Sequence, residues 1–190
     1  MAERQIATDE ELMNLVQAGG RDGLSTLMRR YANPLLTFLR RMTGDHHRSE
    51  ELFQDVFLAV WTQRAEYGPW RPFRAWLFGI ASNKCRSEVR SRQRRPMIFD
   101  GEQTAAVAQD GATPSEAAVA TETATIVEEA VLRLPHVQRQ VVVLRVWNAL
   151  SYQAIGQVVG CSEGTARSHM FHALTAMRVF LEPRLRDRDA

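Results

Sequence analysis

The chain has 190 residues, of which 45% are hydrophobic and 24% charged, with a formal net charge of +2. This length allows one domain or two small ones, and no run of about 18 apolar residues indicates a membrane span. The two cysteines, Cys85 and Cys161, exclude a disulfide framework and a cysteine-rich zinc site, and we expect both to be small buried residues. Because the N-terminus lacks the apolar core of a secretory signal, we expect a cytosolic protein.

Helical periodicity dominates the sequence, and the alternating runs typical of β-strands are missing, which predicts an all-α fold. We expect four helices in the first half of the chain, at about 9–18, 22–42, 50–64 and 73–94. Thr8 and Glu11 form a capping box for the first helix. Asp22 or Ser25 begins the second, in which Pro34 predicts a kink rather than a break.

The third helix has an apolar face and a second face of different character. The second face carries Glu51, Gln54, Asp55, Leu58 and Thr62. A solvated acidic face would explain the carboxylates, whereas an exposed Leu58 among acids favours a face that docks on another protein.

The fourth helix combines aromatic residues with a basic end. Residues 84–95 hold six basic residues and one acid. The candidate nucleic-acid contacts are Trp76, Asn83, Lys84, Arg86 and Arg90. Rings that stack on bases and cations that hold phosphates suit single-stranded or melted nucleic acid. Alternatively, Phe73, Trp76 and Leu77 form core, as we expect mainly for Phe73 and Leu77, and the arginines only solvate the helix end.

A linker is predicted at 96–125, where small, polar and acidic residues cannot bury much apolar surface. It separates two small helical domains, at 8–95 and 126–182. Residues 96–132 hold seven acids and no base, so the charge switches abruptly after the basic run. Such a switch indicates different partners for different segments.

Residues 151–177 show the pattern of two helices joined by a tight turn. Ser151 caps a short helix and Ser162 caps the next. Gly160 suits a left-handed helix end, and small Gly156 lets the helices approach closely. The inward face of the second helix is Ala166, Met170, Ala173, Leu174 and Met177, and its outward face is Thr165, Arg167, Ser168, His169, Phe171 and His172. This pattern indicates a DNA-binding helix-turn-helix, although a plain αα-hairpin in a bundle shares it.

Three segments then occur in an informative order. They are EELFQDVFLAVW, RPFRAWLFGIASNKCRSEVR and LPHVQRQVVVLRVWNALSYQAIGQVVGCSEGTARSHMFHAL. Together they resemble the extracytoplasmic-function (group IV) sigma factors of bacterial RNA polymerase, in the sigma-70 family. The resemblance covers about 9–181 and implies a sigma-2-like helical bundle and a sigma-4-like helix-turn-helix domain, joined by a flexible acidic linker.

The resemblance also implies partners and roles. The third-helix face would dock on the β′ coiled coil of core RNA polymerase. The loop 66–72 and the fourth helix would open and read the −10 promoter element, while the helix-turn-helix would read the −35 element near the β flap. The linker would pass through the polymerase. An anti-sigma factor would control the protein.

The length of the acidic stretch agrees with this arrangement. Fully extended, residues 96–132 would reach about 120 Å, whereas two turns of DNA span about 70 Å. One chain could therefore hold two promoter elements at once.

The recognition helix departs from the family, because His169 and His172 stand at positions that are often basic in related proteins. We hypothesise that Arg167 contacts phosphate or guanine, Ser168 a base edge, and Phe171 an apolar surface such as a thymine methyl. His172 would bind phosphate best when protonated, which predicts stronger −35 binding at lower pH.

Two alternatives remain at this level. A conventional helix-turn-helix regulator would bind palindromic sites without polymerase, and a sigma-like mimic would titrate an anti-sigma factor without touching DNA. The five histidines show no metal spacing, and the chain has no nucleophile motif or phosphate loop. We therefore expect no cofactor, no metal, no enzymatic activity and no membrane insertion.

Overall fold

The computed structural model describes residues 7–68, 70–94 and 114–186, and within these ranges the chain is helical, without strands. The helices are α1 (Asp9–Gln17), α2 (Arg21–Thr43), α3 (His46–Thr62), α4 (Phe73–Arg94), α5 (Pro114–Arg133), α6 (His136–Val146), α7 (Tyr152–Val159) and α8 (Glu163–Arg186), with a 3-10 turn at Arg64–Glu66. The all-α prediction is confirmed.

Local capping signals explain where several helices begin. The predicted capping box is present at α1, where Thr8 Oγ1 accepts from the Glu11 amide at 3.2 Å and the Glu11 carboxylate accepts from the Thr8 amide at 2.7 Å. α2 begins at Arg21, before either predicted start, and it continues unbroken through Pro34. α3 begins four residues earlier than predicted because the Asp45 side chain caps it.

Helices α1 to α4 form the first domain around an aromatic core. Phe38 meets Phe78 edge-on with ring centroids 5.4 Å apart, and Tyr31 meets Phe73 at 5.5 Å. Phe73 and Leu77 are fully buried, as expected. These contacts fix α4 against α2, and so orient the remaining faces of α4.

The second domain comprises α5 to α8. α5 begins at Pro114, so residues 114–125 of the predicted linker are helical, in agreement with the high helix propensity of their many alanines. Proline also suits the first turn of a helix. The rest of the predicted linker, at 96–113, lies outside the described residues, as does the end of the basic run at Arg95.

The two domains pack directly against each other. α4 contacts α7, and α2 contacts α5 and α6. The Arg139 guanidinium donates to the Met42 carbonyl at 2.8 Å, and Arg74 donates to the Asn148 carbonyl at 2.5 Å. In the described structure, the two groups of helices that the sequence predicts as domains joined by a flexible linker are therefore in direct contact.

Candidate docking and promoter-binding surfaces

The outer face of α3 presents an apolar side chain among acids. Leu58 is 61% exposed, and Glu51 and Gln54 are also exposed. Asp55 is half-buried, with Lys84 Nζ 3.9 Å from its carboxylate. The opposite face of α3 is held in the core by Leu52, Val56 and Val60. An exposed leucine on a rigid, negatively charged helix suits docking on a basic protein surface.

The basic side of α4 is largely accessible. Asn83 and Arg90 are exposed, and Lys84 and Arg86 are half-buried. Trp76, predicted to contact DNA, is only 7% exposed and packs against Tyr67 with ring centroids 5.1 Å apart. It shares the core face of α4 with Phe73, three residues earlier, so helical geometry directs both rings inward. In the described structure the Trp76 ring packs in the core behind α4 and is not accessible for stacking on a base.

A different tryptophan is available in the loop before α4. Trp70 is 83% exposed, whereas Tyr67 is buried and donates its hydroxyl to the Arg71 carbonyl at 2.9 Å. Gln17 of α1 anchors the loop by donating to the Tyr67 carbonyl at 2.9 Å. A Cβ atom at Gly68 would lie 2.0 Å from the tip of the exposed Trp70 ring, so a side chain at this position would require the ring to rotate away. The sequence signal for this site was an aromatic residue in a glycine- and proline-rich loop.

The helix-turn-helix has the predicted turn chemistry. Ser151 Oγ accepts from the Ala154 amide and Ser162 Oγ accepts from the Thr165 amide, each at 3.1 Å. Gly160 is left-handed, with φ of +83°, and its amide donates to the Gly156 carbonyl at 2.8 Å. These hydrogen bonds satisfy backbone groups at the start of α7, the end of α7 and the start of α8, and they set the angle between the two helices.

The turn between α7 and α8 approaches α7 closely at Gly156. A Cβ atom at Gly156 would lie 2.6 Å from the Cys161 carbonyl oxygen, a distance that no side chain tolerates. Glycine at this position therefore lets the turn fold back against α7.

The outward face of α8 is accessible for DNA. The exposed side chains are Thr165, Arg167, Ser168, Phe171 and His172, and His169 is half-buried. Arg167 is held in place, since its Nη2 lies 2.6 Å from the Glu163 carboxylate and its guanidinium lies 4.5 Å from the Tyr152 ring centroid. Leu174 is predicted to face inward, but its side chain is 49% exposed. It lies beside the row of buried positions of α8, on a side of the helix that no other described helix covers.

The two cysteines differ in environment. Cys85 is buried, and burial together with the nearby Glu88 charge raises the pKa of its thiol to about 12. Cys161 is only half-buried, so the prediction that both cysteines are buried holds for Cys85 alone. No group of three histidine, cysteine, aspartate or glutamate side chains within the described ranges is placed to hold a metal ion.

Comparison with known proteins identifies the family. Residues 27–95 match Sigma-70 region 2, and residues 124–177 match Sigma-70, region 4. The ECF RNA polymerase sigma factor ShbA of Streptomyces griseus is 32% identical over 148 residues, which cover 76% of this chain and 78% of that protein. The chain belongs to the ECF sigma factors of the sigma-70 family.

The likeness to other sigma factors extends over nearly the whole chain. The RNA polymerase sigma-H factor of Pseudomonas aeruginosa is 28% identical over 189 residues, covering 94% of this chain and 96% of that one. The sigma factor RpoE from Bartonella quintana, solved in complex with the anti-sigma factor NepR, has the same fold, with a TM-score of 0.67 and 22% identity over 83% of this chain and 96% of that chain.

Family membership assigns this sigma factor to transcription initiation. Region 2 corresponds to most of α2 together with α3 and α4, and region 4 to the end of α5 through most of α8. We refer to α1–α4 as the region-2 domain and to α5–α8 as the region-4 domain. A conventional helix-turn-helix regulator, the first alternative, would not carry region 2. Among the described helices, none combines the length and hydropathy needed to cross a bilayer.

Proposed function

We propose that this alternative sigma factor docks on core RNA polymerase through the outer face of α3, reads and melts the −10 element with α4 and the loop before it, and reads the −35 element with α8. The observation that carries this proposal is the exposed outer face of α8. This face belongs to a helix-turn-helix whose second helix is capped by Ser162 and whose turn contains the left-handed Gly160, and the same chain carries region 2. One chain thus carries a docking face and two nucleic-acid surfaces.

The docking proposal concerns the β′ coiled coil of the polymerase. Glu51, Gln54 and Asp55 would meet basic and polar groups, and Leu58 would fill an apolar depression at the centre of the contact. The core contacts behind α3 keep this face rigid, so little conformational entropy is lost on docking. The region-4 domain would contact the β flap.

At the −10 element, α4 would supply charge and the preceding loop would supply an aromatic ring. Lys84, Arg86 and Arg90 would neutralise phosphates, and Asn83 would hydrogen-bond an unpaired base. Trp70 extends this surface, because an exposed ring on an anchored loop can stack on a base that leaves the duplex. Trp76 would hold α4 in place from behind.

At the −35 element, α8 would contact the bases through a face that carries few charged side chains. Arg167 is pre-oriented by Tyr152 and Glu163, although Glu163 also reduces the positive charge that a phosphate would meet. Ser168 would contact a base edge and Phe171 a thymine methyl group. With one arginine on this face, affinity must come largely from the linked polymerase and the region-2 domain, as it does in multivalent binding.

We also propose that an anti-sigma factor controls this protein. The RpoE structure with NepR shows that a chain of this fold forms such a complex. The exposed α3 face would be a target, since a protein that covers Leu58 and its acidic neighbours would prevent docking.

Transcription with purified core polymerase tests the proposal. Genomic DNA fragments transcribed with and without the sigma factor should yield new transcripts whose start sites share two sequence elements about two DNA turns apart. An identical set of transcripts in both reactions would refute it. A protein that only titrates an anti-sigma factor, the second alternative, would also give that result.

A further inference from the structure

We infer that Glu163, the first residue of α8, determines the specificity of −35 reading together with Arg167. The Glu163 carboxylate would direct Arg167 to a guanine, keep it away from phosphate, and accept a hydrogen bond from a cytosine in the adjoining base pair. This inference rests on the proposed function. It adds a base-reading residue to the outward face of α8, which the sequence predicts to begin at Thr165.

Two hydrogen bonds join Glu163 to Arg167. Glu163 Oε1 accepts from Arg167 Nη2 at 2.6 Å and from Arg167 Nε at 3.2 Å. The two residues are four positions apart on one helix, so their side chains lie on the same face. The side chains of Arg167 and Glu163 are 60% and 46% exposed, and an exposed ion pair contributes little to stability. The main effect of the pair is therefore to orient the guanidinium.

An aromatic ring in the first turn of α7 also holds the Arg167 guanidinium. The centroid of the Tyr152 ring lies 4.5 Å from the Arg167 guanidinium and 5.0 Å from that of Arg145, both cation–π distances. Arg145 is itself fixed, because it donates to the Leu150 carbonyl at 2.9 Å. Two cations beside one ring repel each other, and the Glu163 carboxylate offsets this repulsion. The ring and the carboxylate together hold Arg167 in one direction.

The first turn of α8 suits close approach to DNA. Ser162 Oγ accepts from the Thr165 amide at 3.1 Å and lies 2.8 Å from Thr165 Oγ1, so the turn that carries Glu163 is fixed. Gly164 is exposed, and apart from its chain neighbours a Cβ atom there would meet only Ser162 Oγ, at 3.9 Å. Packing within the described structure therefore does not require this glycine, although glycine is less favourable than alanine in a helix. A bare backbone here lets the start of α8 approach base edges, as recognition helices do.

The charge of the pair favours a base over a phosphate as the target of Arg167. The formal charges of Glu163 and Arg167 cancel, and a carboxylate beside the DNA backbone would be repelled by phosphate. Only the Nε and Nη2 groups of the guanidinium donate to Glu163, so its other N–H groups can still reach O6 and N7 of a guanine. Of the two roles that the sequence leaves open for Arg167, this charge balance favours guanine.

Glu163 also keeps one oxygen for a base of its own. Both hydrogen bonds from Arg167 end on Oε1, and within the described ranges no hydrogen bond reaches Oε2. Cytosine presents its N4 amino group as a donor in the major groove, where a glutamate can accept from it. Because the two side chains are joined and stacked bases lie only about 3.4 Å apart, the pair would read adjoining base pairs, one through guanine and one through cytosine.

Selection from a promoter library tests this inference. Holoenzyme formed from the full chain and core polymerase would select promoter DNA that is randomised across the −35 element and already unpaired at −10. The parent protein should select a guanine with a cytosine in the adjoining base pair. Glu163→Ala should lower the preference for that cytosine on the order of tenfold. Glu163→Gln should shift the preference towards adenine, because glutamine binds adenine N6 and N7, and a misfolded variant could not produce this shift.

The salt dependence of binding supplies a second measurement. Affinity for one selected promoter would be measured between about 50 and 200 mM salt, where each phosphate contact adds about one to the slope of log affinity against log salt. Arg167→Ala should lose the preference for guanine with the slope unchanged. Glu163→Ala frees Arg167 to bind a phosphate and should steepen the slope by about one. A slope that Arg167→Ala reduces by about one would show that Arg167 holds a phosphate, and would overturn the inference.

The matched control is Glu182→Ala, which breaks a similar pair outside the helix-turn-helix. Glu182 lies 2.7 Å from Arg186, four residues further along α8, and is 44% exposed. This variant should keep the base preferences and the salt slope of the parent protein. Base preferences that stay unchanged in both Glu163 variants would overturn the inference. Failure of the proposed function is distinguishable, because the parent holoenzyme would then select no common −35 sequence.

Discussion

Replacement of Gly156 by alanine tests the geometry on which −35 reading depends. The new methyl group would lie 2.6 Å from the Cys161 carbonyl oxygen. That oxygen belongs to the turn backbone, which is fixed because the Gly160 and Cys161 amides both donate to the Gly156 carbonyl, at 2.8 and 2.9 Å. The clash therefore cannot be relieved by rotation of a side chain.

The size of the effect follows from two opposing contributions. Alanine in place of glycine within a helix stabilises it by about 1 kcal/mol. Overpacking against fixed backbone costs about 1–3 kcal/mol, and the contact at Gly156 belongs at the upper end because the turn must move by several tenths of an ångström. We expect a net loss of about 1–2 kcal/mol, which lowers Tm by about 2–8 °C for a chain of this size.

Gly79→Ala provides the matched control. Gly79 lies inside α4, and a Cβ atom there would meet nothing within 4 Å. The same substitution should raise stability by about 0.5–1 kcal/mol. Urea unfolding of both variants and the parent protein measures the difference. If Gly156→Ala proved as stabilising as Gly79→Ala, the close approach of the turn to α7 at Gly156 would be refuted.

Three other predictions concern individual side chains. His172→Ala should weaken binding of the holoenzyme to −35 DNA, measured by fluorescence anisotropy at fixed pH, because the exposed imidazole lies on the outward face of α8 and would contact a phosphate; unchanged binding would contradict this role. Trp70→Ala should slow promoter opening on duplex DNA by about 5- to 150-fold, since stacking on one base contributes about 1–3 kcal/mol. The rate should recover on a template already unpaired at −10. Equal loss on both templates would argue against stacking. Iodoacetamide at pH 8 should label Cys161 of the free protein much faster than Cys85, whose pKa of about 12 keeps the thiol protonated, as peptide mass spectrometry would show.

Features with local causes could be predicted from the sequence. As the sequence predicts, helices are capped by the side chains of Thr8, Ser151 and Ser162, and Gly160 adopts the left-handed conformation. Each depends on atoms within a few residues along the chain. The Asp45 cap of α3 carries the same kind of signal, although the apolar periodicity alone predicts that this helix begins at about residue 50.

Features that depend on distant packing could not be predicted. Whether Trp76 is core or surface depends on Tyr67, which the loop folds against it, and the exposure of Leu174 depends on which side of α8 other helices cover. The contact between the domains joins residues far apart in sequence, such as Ser82 with Gln140 and Met42 with Arg139. Helical periodicity shows which faces are apolar but does not show which polar faces meet.

The central claim is that the outer face of α3 docks on core polymerase, and charge reversal at Asp55 tests it most directly. Asp55→Arg loses only a half-exposed pair with Lys84 at 3.9 Å, so the fold should remain intact. The matched control is Asp22→Arg, which reverses the charge of an exposed residue in the first turn of α2.

The affinity of each variant for core RNA polymerase should be measured by competition with the parent sigma factor at fixed salt. Charge reversal within a docking face costs about 2 kcal/mol or more, so Asp55→Arg should bind at least about thirtyfold more weakly. Asp22→Arg should bind within about twofold of the parent protein, because surface changes away from a contact have small effects. Parent-like binding by Asp55→Arg would contradict docking through α3.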